Sequence, residues 1–129
     1  MQRTDHPDGT EVAGFYVRAI RTGPFVFVSG TTSLDAKGKP QGETAAEQTR
    51  ITLAKIEKAL ASAGAAMTDV VRLTIFVTDI ADDKAVGAEL AKAFKRPVTS
   101  TMVAIKALVL PELKVEIEAT AVVAMRGVA

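Results

Sequence analysis

Two carboxylates near the end of the chain have a spacing that could act on one ligand. The segment Lys114-Val-Glu-Ile-Glu-Ala119 alternates charged and apolar residues, which is typical of a strand with one buried face. Glu116 and Glu118 then share the other face. A partly desolvated carboxylate can accept a proton from water as a general base. The same alternation is also typical of a solvated sheet surface, and the pattern alone leaves both interpretations open.

Other residues suited to chemistry are scarce in this chain. It has no Cys, which excludes disulfides, thiolate catalysis and Cys-ligated metal. The single His6 lies in a polar segment with Pro7 and Gly9, so we expect a flexible terminal side chain rather than a catalytic one. Basic and acidic residues number 16 and 15 without a block of like charge, which argues against a nucleic-acid partner.

The length of 129 residues predicts a single domain, 1–129, in which 1–13 form a flexible or edge lead segment. No apolar run approaches the ~20 residues that span a bilayer. The N-terminus also lacks the apolar core of a signal peptide. We therefore expect a cytoplasmic protein that does not associate with membranes.

Two strands are predicted near the start, at residues 16–20 and 25–29. The turn Arg21-Thr-Gly-Pro24 between them has the glycine and proline of a tight reversal. The segment Phe25-Val-Phe-Val28 is apolar at every position. This pattern predicts a strand that is buried on both faces.

A helix is predicted after the capping box Thr44-Ala-Ala-Glu47, with Leu53, Ile56 and Leu60 as its buried stripe and Gly64 as its end. A β-branched strand follows at residues 70–77. Asp79 or Asp82 is predicted to cap a second helix. Its buried stripe is formed by Val86, Leu90 and Phe94, and Gly87 lies in its interior.

Residues 99–108 and 114–123 are predicted to form a closing hairpin, which gives the element order ββαβαββ. Two helices can cover only one face of such a sheet. The other face is partly apolar and needs cover, and a second copy of the chain is the simplest cover. On this argument we expect a homo-oligomer.

The chain also resembles a known family, the RidA/YjgF/UK114 reactive intermediate deaminases. The resemblance extends over nearly the whole chain from about residue 14, in matching order and spacing. It rests on Gly14-Phe-Tyr-Val-Arg-Ala19, Phe25-Val-Phe-Val-Ser-Gly30, Gln48, Ala63-Gly64, Asp69-Val-Val71, Val77-Thr-Asp79 and Val115-Glu-Ile-Glu-Ala119.

This resemblance implies a chorismate-mutase-like α+β fold, with one mixed sheet, two helices on one face and a trimeric barrel with clefts between subunits. It implies hydrolysis of 2-imino acids to 2-oxo acids and ammonia, without metal or cofactor. Glu116 would hold and activate the water. The substrate-binding residues that it implies are Tyr16, Ser29, Gly30 and Thr31, together with Ser100, Thr101 and Met102 before the last strand.

The family's deaminases carry an arginine in this last segment, which binds the substrate carboxylate through two hydrogen bonds. Here the segment is Pro97-Val-Thr-Ser-Thr-Met102, and Ser100 is assigned to the arginine position. Losing such a hydrogen-bond partner weakens the binding free energy by ~1.5–3 kcal/mol, which lowers the affinity at least tenfold. The chain therefore looks like an arginine-lacking branch of the family.

Three cations could replace that arginine: Arg18, Arg96 and Lys106. For Arg18 and Lys106 a solvated charge is the favoured interpretation, and Arg96 could simply complement a helix dipole. Two other family positions also differ, with Gly87 in place of an asparagine and Thr31 in place of a glutamine.

The sequence thus favours a hydrolase for a small imine or enamine metabolite, with altered substrate choice. The alternative is a non-catalytic trimeric protein that binds a metabolite and regulates a partner. Ribonuclease activity, a name attached to some relatives, has little support, because the chain lacks a catalytic His pair and a basic stripe.

Overall fold

A mixed sheet of six strands carries two helices on one face in the computed structural model, which describes residues 2–11 and 13–123. Residues 1 and 12 of the predicted lead segment, and 124–129 of the predicted domain, lie outside the described residues. The strands are β1 Arg3–His6, β2 Ala19–Thr22, β3 Phe25–Thr31, β4 Val70–Val77, β5 Thr99–Ala104 and β6 Val115–Val122. The helices are α1 Ala45–Ser62 and α2 Asp83–Ala93. The predicted α+β architecture is confirmed.

The lead segment adds a strand at the edge of the sheet. His6, expected to be flexible, pairs with Ala19 of β2. The predicted strand at 16–20 is wrong at its start, since β2 begins at Ala19. Before that point the Glu11 carboxylate accepts a hydrogen bond from the Arg18 backbone N–H at 2.8 Å. The Glu11 side chain therefore satisfies this backbone N–H, which would otherwise bond to a neighbouring strand.

The predicted closing hairpin is wrong. The sheet order is β1-β2-β3-β6-β4-β5, so β6 lies between β3 and β4, while β5 pairs with β4 in parallel. A parallel pair needs a crossover connection, which α2 supplies. The central position also suits β6, because Val115, Ile117 and Ala121 become fully buried against the helices.

The prediction that β3 is buried on both faces is also wrong for the single chain. Val26 and Val28 are buried beneath α1, whereas Phe25 and Phe27 remain 40% and 47% exposed on the side that bears no helix. Strand pairing extends this side across the whole sheet. We call it the open face; its central residues are Ile20, Phe25, Phe27, Arg72, Thr74, Phe76, Thr99, Thr101, Val103, Glu116, Glu118, Thr120 and Val122.

Local signals place both helices. The Thr44 hydroxyl accepts a hydrogen bond from the Glu47 backbone N–H at 3.1 Å, which confirms the predicted N-cap of α1. The Glu47 carboxylate accepts from that hydroxyl instead of completing the capping box. Asp79 caps the short 3-10 turn Ile80–Asp82 that leads into α2. None of the described helices combines the length and apolar character needed to cross a membrane.

Two Gly→Ala substitutions should have opposite effects on the free energy of unfolding. Gly64 ends α1 with φ +79°, and an added Cβ would lie 2.7 Å from Arg21 Nη1, so Gly64→Ala should destabilise the protein by about 1 kcal/mol or more. Gly87, inside α2, has no atom within 4 Å of an added Cβ, and Gly87→Ala should stabilise by about 0.5–1 kcal/mol. Urea unfolding at one protein concentration measures both, and effects of the same sign would contradict the helix assignment.

Candidate functional site

Glu116 lies on the open face in a row with Phe76 of β4 and Val103 of β5. Beside it, the pairing of β3 with β6 shifts register between Val28 and Thr31, so that Ser29 and Gly30 form a bulge. A Cβ built on Gly30 would lie 2.8 Å from Glu116 Oε2. Only glycine therefore leaves room for the carboxylate in this position.

The surroundings of Glu116 make it a stronger base than an ordinary glutamate. Burial raises its pKa above the usual 4.5, the negative charge of Glu118 raises it further, and the positive charge of Arg18 opposes the shift. A half-buried carboxylate with a raised pKa can orient a water molecule and accept its proton.

The bulge next to Glu116 is held by Arg18, whose side chain is buried. The Nη1 group donates to Gly30 O at 2.8 Å and to Thr31 Oγ1 at 3.1 Å. Nη2 donates to Thr10 Oγ1 at 2.9 Å, and Nε pairs with Asp8 Oδ2 at 3.2 Å. The favoured interpretation of Arg18 as a solvated charge is therefore wrong, since its exposure is 4%.

Asp8 and Glu11 complete this arrangement from the lead segment. Burial works against ionisation of Asp8, yet hydrogen bonds from Thr10 and the charge of Arg18 hold its pKa below the ordinary value. The Glu11 carboxylate accepts from the backbone N–H groups of Asp8, Gly9 and Arg18. The lead segment thus supplies the counter-charge that allows a guanidinium to be buried.

Two further predicted site residues, Tyr16 and Thr31, contact this guanidinium, and Ser29 lies in the bulge that it holds. The Tyr16 hydroxyl donates to Thr10 O at 3.4 Å, and its ring centroid lies 5.7 Å from Arg18 Cζ. Ser29 Oγ donates to Val17 O at 2.6 Å. Thr31 is buried, and its hydroxyl donates to Ser29 O while it accepts from Arg18. Thr31 therefore supports the bulge from behind and does not present its hydroxyl on the open face.

The predicted substrate-binding residues of β5 divide between the two faces of the sheet. Ser100 pairs with Leu73, and Met102 pairs with Ile75, so both share the helix side with these buried residues. Thr101 pairs with Thr74, which in turn pairs with Glu118. The structure therefore brings Thr101 onto the open face with Glu116 and leaves Ser100 and Met102 on the other side. Ser100, which was assigned to the arginine position, therefore does not share a face with Glu116, whereas Thr99 and Thr101 do, because a shift of one residue changes the face.

Arg96 and Lys106, the other two cations considered as replacements for the arginine, lie outside the strands of the sheet. Arg96 lines a groove with Leu90 and Ser100 beside α2, and Lys106 is exposed in the loop beyond β5. A cation that the sequence analysis missed, Arg72, does lie on the open face. It lines a cavity of about 220 Å³ with Phe27, Thr74, Glu118 and Thr120. Its place between the apolar Val71 and Leu73 was the available signal.

Gln48 is a second residue whose role the sequence did not reveal. It is 1% exposed in α1, and its Nε2 donates to Gly42 O at 3.1 Å and to Glu112 O at 2.9 Å. Its Oε1 accepts from the Lys114 backbone N–H at 2.8 Å. These bonds fix the chain where it enters β6, two residues before Glu116. Its spacing with the buried Thr52 and Ile56 is the signal that could have identified it.

Groups of three or more His, Asp or Glu residues placed to hold a metal ion do not occur among the described residues. The bulge at Ser29 and Gly30 borders Glu116, and Thr101 shares the open face with Glu116. Tyr16 contacts the Arg18 guanidinium that holds this bulge.

Comparison with known proteins gives consistent matches over this fold. The family model described as "Endoribonuclease L-PSP" matches residues 8–123. The chain is 33% identical over 113 residues to the 2-iminobutanoate/2-iminopropanoate deaminase of Salmonella typhimurium, covering 84% of this chain and 88% of that protein. A RutC family protein of Pyrococcus abyssi is 36% identical over 70 residues, covering 54% of this chain and 55% of that relative's length.

A solved structure shares more of the sequence. A member of the YjgF/YER057c/UK114 family from Mycobacterium tuberculosis is 48% identical, with a TM-score of 0.85. The alignment covers 95% of this chain and 100% of that one.

Glu116→Gln should change the pH dependence of stability. Because the folded state raises the pKa of Glu116, it binds a proton more tightly than the unfolded chain does, so the charged carboxylate destabilises the fold increasingly as pH rises from about 4.5 through the raised pKa. Glu116→Gln should therefore be more stable than wild type at pH 7, with a difference that shrinks toward pH 4. Urea unfolding from pH 4 to 8 at fixed protein concentration measures this difference. A difference that grows toward low pH would contradict it.

Proposed function

Because the chain belongs to the Endoribonuclease L-PSP family, whose solved members include YjgF/UK114 proteins, we propose that it hydrolyses small imine or enamine metabolites. The observation that carries the proposal is the half-buried Glu116, held against Gly30 on the open face with a raised pKa. The similarity to the Salmonella typhimurium 2-iminobutanoate/2-iminopropanoate deaminase supports the same reaction class.

The proposed chemistry needs only a placed water and a base. An iminium carbon is already electrophilic, so water adds to it once Glu116 removes a proton from the water. The resulting carbinolamine breaks its C–N bond, the nitrogen takes a proton, and ammonia leaves from the new carbonyl compound. No redox step occurs, and the chain's own carboxylate provides the proton transfer.

We further propose that the active form is a homotrimer in which the open face of each subunit is covered by its neighbours. Phe25, Phe27, Val103 and Val122 are more than a third exposed on this face, an apolar surface that favours association. A cleft formed in this way would enclose Glu116 and Thr101 and exclude bulk water. The absence of Cys is compatible with the cytoplasm as the proposed location.

Glu116→Gln should lower imine hydrolysis at least a hundredfold, because it removes the only proposed base. Glu118→Gln is the matched control, with the same change two residues along the same face. Because it removes a neighbouring charge and not the base, it should lower the activity less than tenfold. Imines generated in situ by an amino-acid oxidase and by an amine oxidase would be followed by semicarbazide trapping.

Two results would contradict the proposed role of Glu116 or the proposed hydrolase activity. Equal loss of activity in both variants would remove the special role of Glu116. Saturable binding of an imine or its product by calorimetry, with no turnover of any imine, would favour the alternative of a regulatory metabolite-binding protein.

Phe27→Glu should dissociate the proposed trimer, because it places charge at the centre of the apolar patch. Ile80→Glu is the control, since Ile80 is more exposed, at 55%, but lies outside the open face. Light scattering after gel filtration gives the mass of each species. A monomeric wild type, or an intact trimer in Phe27→Glu, would contradict this assembly.

A further inference from the structure

The charges around Glu116 define what kind of imine the site can accept. Glu116 and Glu118 lie on the same face of one strand, about 7 Å apart along it. Gly30 and Phe76 are other near neighbours of Glu116, and neither is charged. Val103 lies one strand beyond Phe76 in the same row. The immediate field at the proposed catalytic carboxylate is therefore negative.

The one cation that acts directly on Glu116 is not available to a ligand. Arg18 donates its side-chain hydrogen bonds to Asp8, Thr10, Thr31 and the carbonyl of Gly30. It is buried beneath the bulge. Turning it toward a substrate would break the contacts that shape the site and would leave Asp8 without its ion pair.

The other cations of the described open face lie at a distance. Arg72 pairs across the sheet with Thr120, four residues or about 13 Å along the strand from Glu116. It shares its cavity with Glu118 rather than with Glu116. Arg3 lies on the outermost strand, paired with Asp5 at 2.9 Å. No cation of the described open face therefore stands in the row of Glu116 or in the adjacent row of Glu118.

From this arrangement, and resting on the proposed hydrolase function, we infer that the substrate is a small apolar imine without a carboxylate, bound as its iminium cation. A substrate carboxylate next to Glu116 would be repelled by two like charges, and the open face of the same subunit offers it no cation in the row of Glu116 or of Glu118. An iminium nitrogen is attracted by the same two charges. Phe76 and Val103 suit an aliphatic substituent on the imine carbon.

The reaction balances with water alone. The water oxygen bonds to the iminium carbon while Glu116 takes the water proton. The carbinolamine nitrogen then takes that proton back from Glu116, and the C–N bond breaks. The hydroxyl proton passes to the departing ammonia, which leaves an aldehyde or ketone and ammonium. Oxidant and reductant are not required.

The test compares two imines that differ only in the carboxylate. Propan-1-imine is generated from propylamine by an amine oxidase, and 2-iminobutanoate from 2-aminobutanoate by an amino-acid oxidase, each under semicarbazide trapping. Wild type should show at least tenfold higher kcat/KM for propan-1-imine, a ratio that corresponds to about 1.4 kcal/mol. Preference for 2-iminobutanoate would overturn this inference and leave the proposed hydrolase in place. Turnover of neither imine would overturn both.

A matched pair of arginine substitutions locates the determinant. Thr101→Arg places a guanidinium on the open face and should shift the preference at least tenfold toward 2-iminobutanoate. Ser100→Arg places it on the opposite side of the same strand and should keep the wild-type preference, with circular dichroism confirming that both variants fold. A larger shift in Ser100→Arg than in Thr101→Arg would overturn the inference. So would a wild-type carboxylate preference that Lys106→Met abolishes, since Lys106 would then be the missing cation.

Discussion

The buried guanidinium of Arg18 is the interaction on which the candidate site depends. Burying a cation in a protein is costly unless its hydrogen bonds and its charge are satisfied. Here Asp8 supplies the charge, and Thr10 supplies a hydroxyl acceptor from the same lead segment. The remaining donors reach Gly30 and Thr31 in β3. One side chain therefore joins the N-terminal segment to the strand bulge that borders Glu116, the proposed catalytic carboxylate.

The bulge makes a half-buried carboxylate possible at Glu116. The register shift between β3 and β6 places Gly30, which has no side chain, against the Glu116 carboxylate. The backbone thus approaches closely while the charge stays out of the apolar core. Burial and Glu118 together raise the pKa of Glu116, so the geometry that shields the group also makes it basic. On the other side of the sheet, Gln48 fixes the entry of β6 from within α1.

The helix side of the sheet provides most of the packing, and the open face carries the candidate functional groups. The helix side holds the aliphatic core of the fold, including Ile56, Ile75 and Ile117, each fully buried. The open face mixes exposed aromatic residues with threonines and carboxylates, and it contributes little packing within one chain. A surface of this kind suits association, since cover by a neighbour would bury Phe27 and deepen the surroundings of Glu116. The fold, the proposed assembly and the proposed catalysis thus all depend on this one sheet.

The sequence by itself determined the features that depend on neighbours along the chain. Thr44 and Gly64 set the ends of α1 because caps are local, and strict alternation placed Glu116 on a face away from the core. Tertiary structure decided the rest. The order of strands, with β6 between β3 and β4, depends on contacts between residues far apart in sequence, so a local hairpin was the wrong expectation. Which residues of β5 share a face with Glu116 depends on register, since one residue changes the face, and Thr99 and Thr101 do so while Ser100 does not. The burial of Arg18 depends on a lead segment whose own composition indicated only a polar terminus.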